Sequence, residues 1–312
     1  MTSPRLDKNS DRVGAVTDTV VPSVHLVFIT YNRLDYTRKA LASILRDPNE
    51  AFMLTIWDNA STDGTRDFLR HEVADPRIDD VVLSEKNVGQ IQPLNAVWSK
   101  SRCDLLGKLD NDCLVTPGWT RILARAHADI PELGVVACWH FMEDDFDYER
   151  ARPKIAELGG HRILRHPWTC GTGLLVKRRV FEEIGQLTGT STSHYWLEMA
   201  RRGYVNGFYY PLVLQEHMDD PKSEHSHLKD EQSYQEAKSV TYNLKHHGQA
   251  TLADRWRWRQ EVIDNLLSGP WDVRCYTGWR GWFRNQLTRM RRFRQRHSSG
   301  KARAVKMEGV EN

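Results

Sequence analysis

The chain of 312 residues is read as an α/β protein, with a mostly parallel sheet flanked by helices and a C-terminal helical extension. Three observations predict this. Short β-rich apolar runs alternate with segments of helical spacing through the first part of the chain. Each run stops at a polar cluster that opens the next helix, as in successive βαβ units. From about residue 229 onward the strand-like runs give way to polar and Trp/Arg-bearing stretches that favour helix.

The first element, residues 24–29, is a β-rich run long enough for a buried strand. It ends at Thr30-Tyr31-Asn32-Arg33, after which residues 34–45 carry apolar positions at helical spacing. The second strand, residues 52–57, ends at Asp58-Asn59-Ala60-Ser61-Thr62-Asp63-Gly64-Thr65, with Ser61 or Asp63 as the expected N-cap of another helix. A shorter strand at 81–83 leads through Asn87-Val88-Gly89 to a helix over about 92–100.

Residues 105–109 form the next strand, and it runs into Asp110-Asn111-Asp112. In open α/β sheets the carboxyl ends of the strands are where ligands bind. Carboxylates at i and i+2 on extended chain point the same way, so this pair can hold one divalent cation. Hard oxygen donors suit Mg²⁺ or Mn²⁺, ions that often take substrate phosphates as their remaining ligands. A polar turn is the plainer reading of an isolated Asp-x-Asp. The placement of Thr30, Asn32, Asp58, Asn87 and Gly89 on the same predicted sheet edge favours the functional one.

With these motifs in order (Phe28 to Arg33, Trp57 to Thr65, Asn87 to Gly89, Lys108 to Asp112), the chain resembles the family 2 glycosyltransferases of GT-A fold over roughly residues 23 to 218. The resemblance implies an inverting enzyme that uses a nucleoside-diphosphate sugar, UDP being the first choice of nucleotide, with Mg²⁺ or Mn²⁺. It implies that Thr30, Asn32 and Arg33 line the nucleotide pocket, with Tyr31 near the base. Asp58 would hydrogen-bond the nucleobase, flanked by Asn59 and Ser61, and Asn87, Gly89 and Lys108 would complete the donor side. Asp110 would face ribose and metal, and Asp112 would ligate the metal. Such a cation stabilises negative charge as it builds on the departing diphosphate.

Further along, residues 135–139 read as a strand and 143–147 as a solvated acidic loop. The stretch 168–176 matches the family's Gly-rich approach into a strand, making Gly171 and Thr172 the residues expected against the donor sugar. The family usually places an acid at the start of the following helix as the base for the acceptor hydroxyl, and this chain lacks it. Glu198 is one replacement and His194 another; Glu198 alternatively forms a helix-surface ion pair with Arg201 or Arg202. His217 sits where many GT-A enzymes complete the metal shell, with His225 and His227 as weaker rivals.

The four expected segments are a loose tail over 1–20, the GT-A domain over 21–228, a helical Trp/Arg-rich extension over 229–297 and a disordered tail over 298–312. On a helix, Trp279, Trp282, Phe283, Leu287, Met290 and Phe293 form one stripe, and residues 279–296 contain arginines and no acid. That pattern fits an interfacial helix on anionic lipid. Core packing and RNA binding are the rivals, and no nucleic-acid partner is expected. A saccharide or lipid-linked acceptor agrees with a membrane surface.

Formal net charge is +3, so basic behaviour is local to the C-terminal segment. The five cysteines have no CxxC spacing and read as buried thiols of a reducing compartment. With no apolar signal region and no run long enough to span a bilayer, the expected location is cytoplasmic, peripheral to the inner membrane face. The lack of GxGxxG and GxxxxGK[ST] excludes a dinucleotide dehydrogenase and a P-loop NTPase. A nucleotidyltransferase would need a Gly-rich basic phosphate loop after the first strand. A GT-A domain that only binds nucleotide sugar or membrane is the non-enzymatic alternative.

Overall fold

A computed structural model of the chain describes residues 21–240, 249–284, 286–287 and 290. A nine-stranded sheet forms the centre, in the order β3-β2-β1-β4-β9-β6-β10-β8-β7. The strands are β1 (Val24–Thr30), β2 (Met53–Asp58), β3 (Ile78–Leu83), β4 (Leu105–Asp110), β6 (Leu133–Ala137), β7 (Ile155–Leu158), β8 (His161–Arg165), β9 (Leu174–Lys177) and β10 (Val205–Tyr210). A small antiparallel ribbon, β5 (Cys113–Val115) with β11 (Gln215–His217), stands apart from it. β1 through β4 pair in parallel, as do β6 and β10, while β9 and β8 run against their neighbours. The sheet is therefore mixed but mostly parallel in strand direction.

β1 explains why the fold is centred where it is. All seven of its residues are buried, and fully burying a side chain such as Leu26 or Phe28 contributes about 1.5–3 kcal/mol relative to exposure. Helix α1 (Leu34–Leu45) buries Tyr36, Ala40, Leu41 and Ile44 against one sheet face, joined there by α2 (Thr65–His71) and α4 (Trp119–Asp129). The other face carries α3 (Ile91–Trp98), α6 (Arg178–Ile184) and α7 (Ser193–Arg201). Between these last elements in sequence lies the short helix α5 (Tyr148–Ala151).

The C-terminal extension contributes α8 (Glu231–Val240) and a longer helix, α9 (Leu252–Ser268). Ile263, Leu266 and Leu267 of α9 enter the same apolar cluster as Trp139, Phe141 and Leu164. The extension thus shares a core with the sheet rather than hanging from it. Residues of the expected 1–20 and 298–312 tails, and Phe293 of the expected stripe, lie outside the described residues. No helix among the described residues is long and apolar enough to cross a membrane.

Two expectations of local chemistry are corrected. The first residue of α2 is preceded by Gly64 at φ 89, which occupies the N-cap. Asp63 instead accepts from the Leu34 and Thr65 amides, and Ser61 Oγ accepts from the Asn32 amide. The acidic loop at 143–147 is not wholly solvated. Asp145 is drawn inward by Arg259 of α9 and by Lys222, leaving its side chain 7% exposed.

Candidate active site at the carboxyl edge of the sheet

Parallel pairing puts the ends of β1, β2 and β4 in register, with Thr30 opposite Asp58 and Ile29 opposite Asp110. One edge therefore gathers residues far apart in sequence. The loop after β1 makes an unusual turn, with Asn32 at φ 53 and Arg33 at φ 65. Asn tolerates this left-handed region, but Arg ordinarily does not. Contacts around the loop offset the strain: Asn32 Oδ1 accepts from Thr62 N at 2.8 Å, and Asn111 Nδ2 donates to the Asn32 carbonyl at 3.0 Å. Asn111 also reaches Thr30 Oγ1 at 3.1 Å. Tyr31 is half-buried between these groups in the chain.

At the end of β2, Asp58 is fully buried. Its Oδ2 accepts from Ser61 N at 3.1 Å and lies 3.4 Å from Arg66 Nε, whereas its Oδ1 has no hydrogen-bond partner among the described residues. A buried unsatisfied carboxylate oxygen is costly, and it marks where a donor from a ligand could enter. Asn59 next to it locks the following loop, since its Nδ2 donates to Gly89 O and its Oδ1 accepts from Val88 N. Asn87 Oδ1 accepts from Gly89 N, and Gly89 sits at φ 71, a position that favours glycine.

The end of β4 is the most densely charged part. Lys108, buried, donates from Nζ to Asp110 Oδ2 at 2.7 Å and to Gly171 O at 2.6 Å. Thr172 Oγ1 accepts from Asp110 N at 3.0 Å. Lys108, Asp110, Gly171 and Thr172 are thus one unit. Desolvation pushes the Asp110 carboxyl up, with Lys108 opposing and Asp112 adding to it.

His217 reaches Asp112 through the small ribbon, whereas Asp110, expected to share the cation with Asp112, is held by Lys108 and stands outside this group. β11 pairs with β5 so that His217 lies opposite Cys113, and Met218 N donates to Asp112 O at 2.8 Å. His217 Nε2 stands 3.6 Å from Asp112 Oδ2. Ligand atoms of Asp112, Cys113 and His217 all lie within 4.8 Å of one another. Burial would raise the Asp112 carboxyl, but His217 and then Arg33 outweigh it and hold it below the usual carboxylate range. Burial, with Asp112 next, pushes the Cys113 thiol well above its usual range, so it serves as an S–H donor to Asp112 at 3.4 Å. The remaining donor set, carboxylate plus imidazole, suits a Mn²⁺- or Mg²⁺-type cation.

Around this core stand residues that the sequence did not single out. His140, just beyond β6, packs edge-on against His217 with ring centroids 4.7 Å apart, and its Nδ1 lies 2.8 Å from Gln215 Nε2. A Cβ on residue 173 would stand 1.4 Å from Gln215 Oε1, and Gly173 lies at φ 61, so any larger residue there is strained and must displace Gln215. Asp219 grips Arg33 through two hydrogen bonds, at 2.8 and 2.5 Å, while the Arg33 guanidinium stacks on Tyr36 4.0 Å from the ring centroid. His140 lies just beyond a strand end, as Asp112 does, and that position is the signal by which it could have been found.

Other expected site residues lie elsewhere. Glu198 is in the last turns of α7, held by Arg201 at 3.0 Å and Arg202 at 3.1 Å, and Arg202 also reaches Glu183 on α6. That is the surface ion-pair arrangement, and it does not bring Glu198 to the edge. His194 is exposed on the first turn of α7, next to Thr192, whose Oγ1 stands 3.3 Å from where a Cβ on Gly171 would be. His227 stacks on Tyr36 with centroids 5.0 Å apart, and His225 contacts Lys39, so neither joins His217.

The family model described as Glycosyl transferase family 2 matches residues 26–185, which carry most of β1, all of β2 through β9 and most of this edge. The chain belongs to glycosyl transferase family 2. Among curated relatives of this family 2 chain is a putative teichuronic acid biosynthesis glycosyltransferase, TuaG, of Bacillus subtilis. It is 34% identical over 92 residues, which are 29% of this chain and 36% of TuaG. The match thus spans about a third of that relative's length. Among solved structures, the mannosyltransferase PcManGT from Pyrobaculum calidifontis, in complex with GDP-Man and Mn²⁺, superposes with a TM-score of 0.52 at 22% identity. The alignment covers 82% of this chain and 73% of that one. The shared architecture is the GT-A fold.

Proposed function

We propose that this family 2 chain transfers a sugar from a nucleoside-diphosphate sugar to a hydroxyl of a saccharide or lipid-linked acceptor, with inversion at the anomeric carbon. The proposed setting is assembly of surface polysaccharide or glycolipid, a setting that the resemblance to TuaG supports. One observation carries the reading: Asp58, Asp110, Asp112 and His217 line a single sheet edge, and the buried Oδ1 of Asp58 lacks a partner.

In this reading Asp58 Oδ1 accepts from the nucleobase, and the loops at Thr30–Arg33 and Asn87–Gly89 wall its pocket. Asp110 faces the ribose, and Lys108 keeps that carboxylate oriented while fixing the Gly171 carbonyl. Asp112 and His217 hold the cation, Mn²⁺ or Mg²⁺. When bound, that cation stabilises the negative charge developing on the leaving diphosphate. Gly171 and Thr172 allow close approach of the donor sugar. With Glu198 engaged by two arginines, we assign His194 the role of accepting the acceptor's proton.

The exposed face of Trp279, Trp282 and Phe283 (74, 63 and 54% exposed), in an arginine-bearing segment with no acid from 279 to 296, supports docking on an anionic membrane surface. Co-sedimentation with anionic but not neutral vesicles, lost in Trp279→Ala/Trp282→Ala, is the expected result. Equal sedimentation of that variant refutes it.

The test of the activity is turnover of a panel of UDP-, GDP-, dTDP- and CMP-linked sugars with Mn²⁺ or Mg²⁺, and with EDTA, following the product anomer by NMR. Metal-dependent release of one nucleotide with an inverted product is expected. Turnover of none, or a retained anomer, refutes the corresponding part of the proposal.

A further inference from the structure

Arg255 and Arg259 lie one turn apart on α9, so their side chains leave the same face of the helix. Arg259 is fully engaged, with Nε 2.5 Å from Asp220 Oδ2 and both terminal nitrogens on Asp145. This fixes the face of α9 against the turn that follows His217. Arg255 has no comparable partner. Among the described residues its side chain makes no hydrogen bond and no ion pair, and its guanidinium rests on the Trp258 ring, 4.7 Å from the centroid.

The groups that act electrostatically on Arg255 define where it sits. Burial lowers its proton affinity, and Asp219, Tyr234, Asp112 and Asp220 raise it. Arg255 is also among the charges that depress the His140 imidazole, after burial and His217. The geometry agrees with these influences: Arg259 holds Asp220 and Arg33 holds Asp219 in the turn after His217, and Arg255 lies one turn before Arg259 on the same face of α9. Each nearby acid already has its own counter-charge: Asp219 has Arg33, Asp220 has Arg259, and Asp112 has Arg33 and His217. A half-buried cation stacked on an aromatic ring and left without a carboxylate is poised for an arriving anion. A planar guanidinium fork matches phosphate oxygens in particular.

We propose that Arg255 binds the diphosphate of the donor and of the nucleotide product, so that the C-terminal extension completes the leaving-group site built by β4 and β11. This rests on the sugar-transfer reading above. It gives α9 a second role beyond packing: Arg259 anchors the helix to the 217–220 turn, and Arg255, one turn earlier, meets the ligand. As the bond between the anomeric carbon and the diphosphate oxygen breaks, both electrons of that bond stay on the oxygen. Arg255 then neutralises part of the added charge without transferring a proton.

The test is calorimetric titration of the full chain with Mn²⁺ and, separately, GDP, UDP, GMP and UMP. Wild type is compared with Arg255→Gln, Arg255→Lys and the control Arg257→Gln, an exposed residue of the same helix paired with Asp254. Arg255→Gln is expected to weaken the preferred diphosphate about 10- to 100-fold, the worth of a hydrogen bond to a charged group. The matching monophosphate should change less than about twofold, since it lacks the second phosphate. Arg255→Lys should fall between, and Arg257→Gln should match wild type. If Arg255→Gln binds diphosphate as tightly as wild type, or loses mono- and diphosphate alike while Arg255→Lys does the same, the inference is overturned. A wild type that binds none of the four overturns the transferase reading itself.

Discussion

Replacing Arg259 with Met probes how firmly the C-terminal helix is tied to the site. Arg259 is buried and holds Asp220 at 2.5 Å together with both oxygens of Asp145. Methionine preserves most of the apolar stem, so the cavity left is small and the loss is mainly electrostatic. Removing one partner of a buried pair typically costs about 3–5 kcal/mol, because the other charge stays behind uncompensated. Here the lower end applies: Asp145 keeps Lys222 Nζ at 2.6 Å, and Asp220 Oδ1 keeps the Lys222 amide at 2.9 Å. Urea unfolding of the full chain should therefore show Arg259→Met destabilised by about 3 kcal/mol. Adding Asp220→Asn, which removes the carboxylate left without a cation, should restore about 1 kcal/mol. Burial raises the Asp145 carboxyl, but Arg259 and Lys222 outweigh it and leave it lowered. Its contribution is thus present above the unfolded carboxylate range near pH 4 and is lost as pH falls through the folded value. That acid loss should be shallower in Arg259→Met. A cost under about 1 kcal/mol, the size of an exposed pair, would refute the claim that this contact is buried and structural.

Three other outcomes are expected. Gly173→Ala places a Cβ against Gln215 Oε1 in a left-handed position, at about 1–2 kcal/mol of backbone strain before any clash. It should lower the thermal midpoint and, by moving Gln215, weaken Mn²⁺ binding; an unchanged midpoint would show that the contact is loose. Lys154, whose Nζ donates to Leu266 O, is pulled down to about 7 by burial and then Arg284. Between that value and the unfolded lysine value near 10.4 the unfolded chain binds the extra proton, so stability rises with pH across this window. Lys154→Met should flatten that slope in urea melts at pH 7, 8 and 9, and a parallel slope would count against it. Asp58→Asn should cost nucleotide affinity at least about tenfold if its Oδ1 meets a base N–H, with no loss of bound metal. Equal nucleotide affinity would remove Asp58 from the pocket.

The first half of the sheet was legible because its information is local. The helix at 34–45 coincides with α1, and β4 stops at Asp110 where the apolar run stops. Alternation of apolar strand and polar loop specifies both the parallel pairing and the shared edge on which Asp58, Asp110 and Asp112 lie. Other features depend on partners distant in sequence. β9 inserts antiparallel between β4 and β6, and the hairpin β7–β8 is short and charged. The ribbon that carries His217 to Asp112 is only three residues on each side. The pairing of Asp145 with Arg259 spans 114 residues, so a loop that reads as solvated is in fact clamped. Arg255 lies in a segment without a motif, and only the packing of α9 brings that helix to the turn after His217. Glu198 shows the converse: its spacing to Arg201 and Arg202 was the more informative signal.

Cation binding at the Asp112–His217 corner is the property on which the proposed transfer depends most. Titration of Mn²⁺ followed by EPR, in the presence of nucleoside diphosphate, measures it directly. One bound ion per wild-type chain is expected, together with its loss in Asp112→Asn and in His217→Ala, each still folded by circular dichroism. Stoichiometric Mn²⁺ retained by both variants, or none bound by the wild type with any nucleotide, would contradict it.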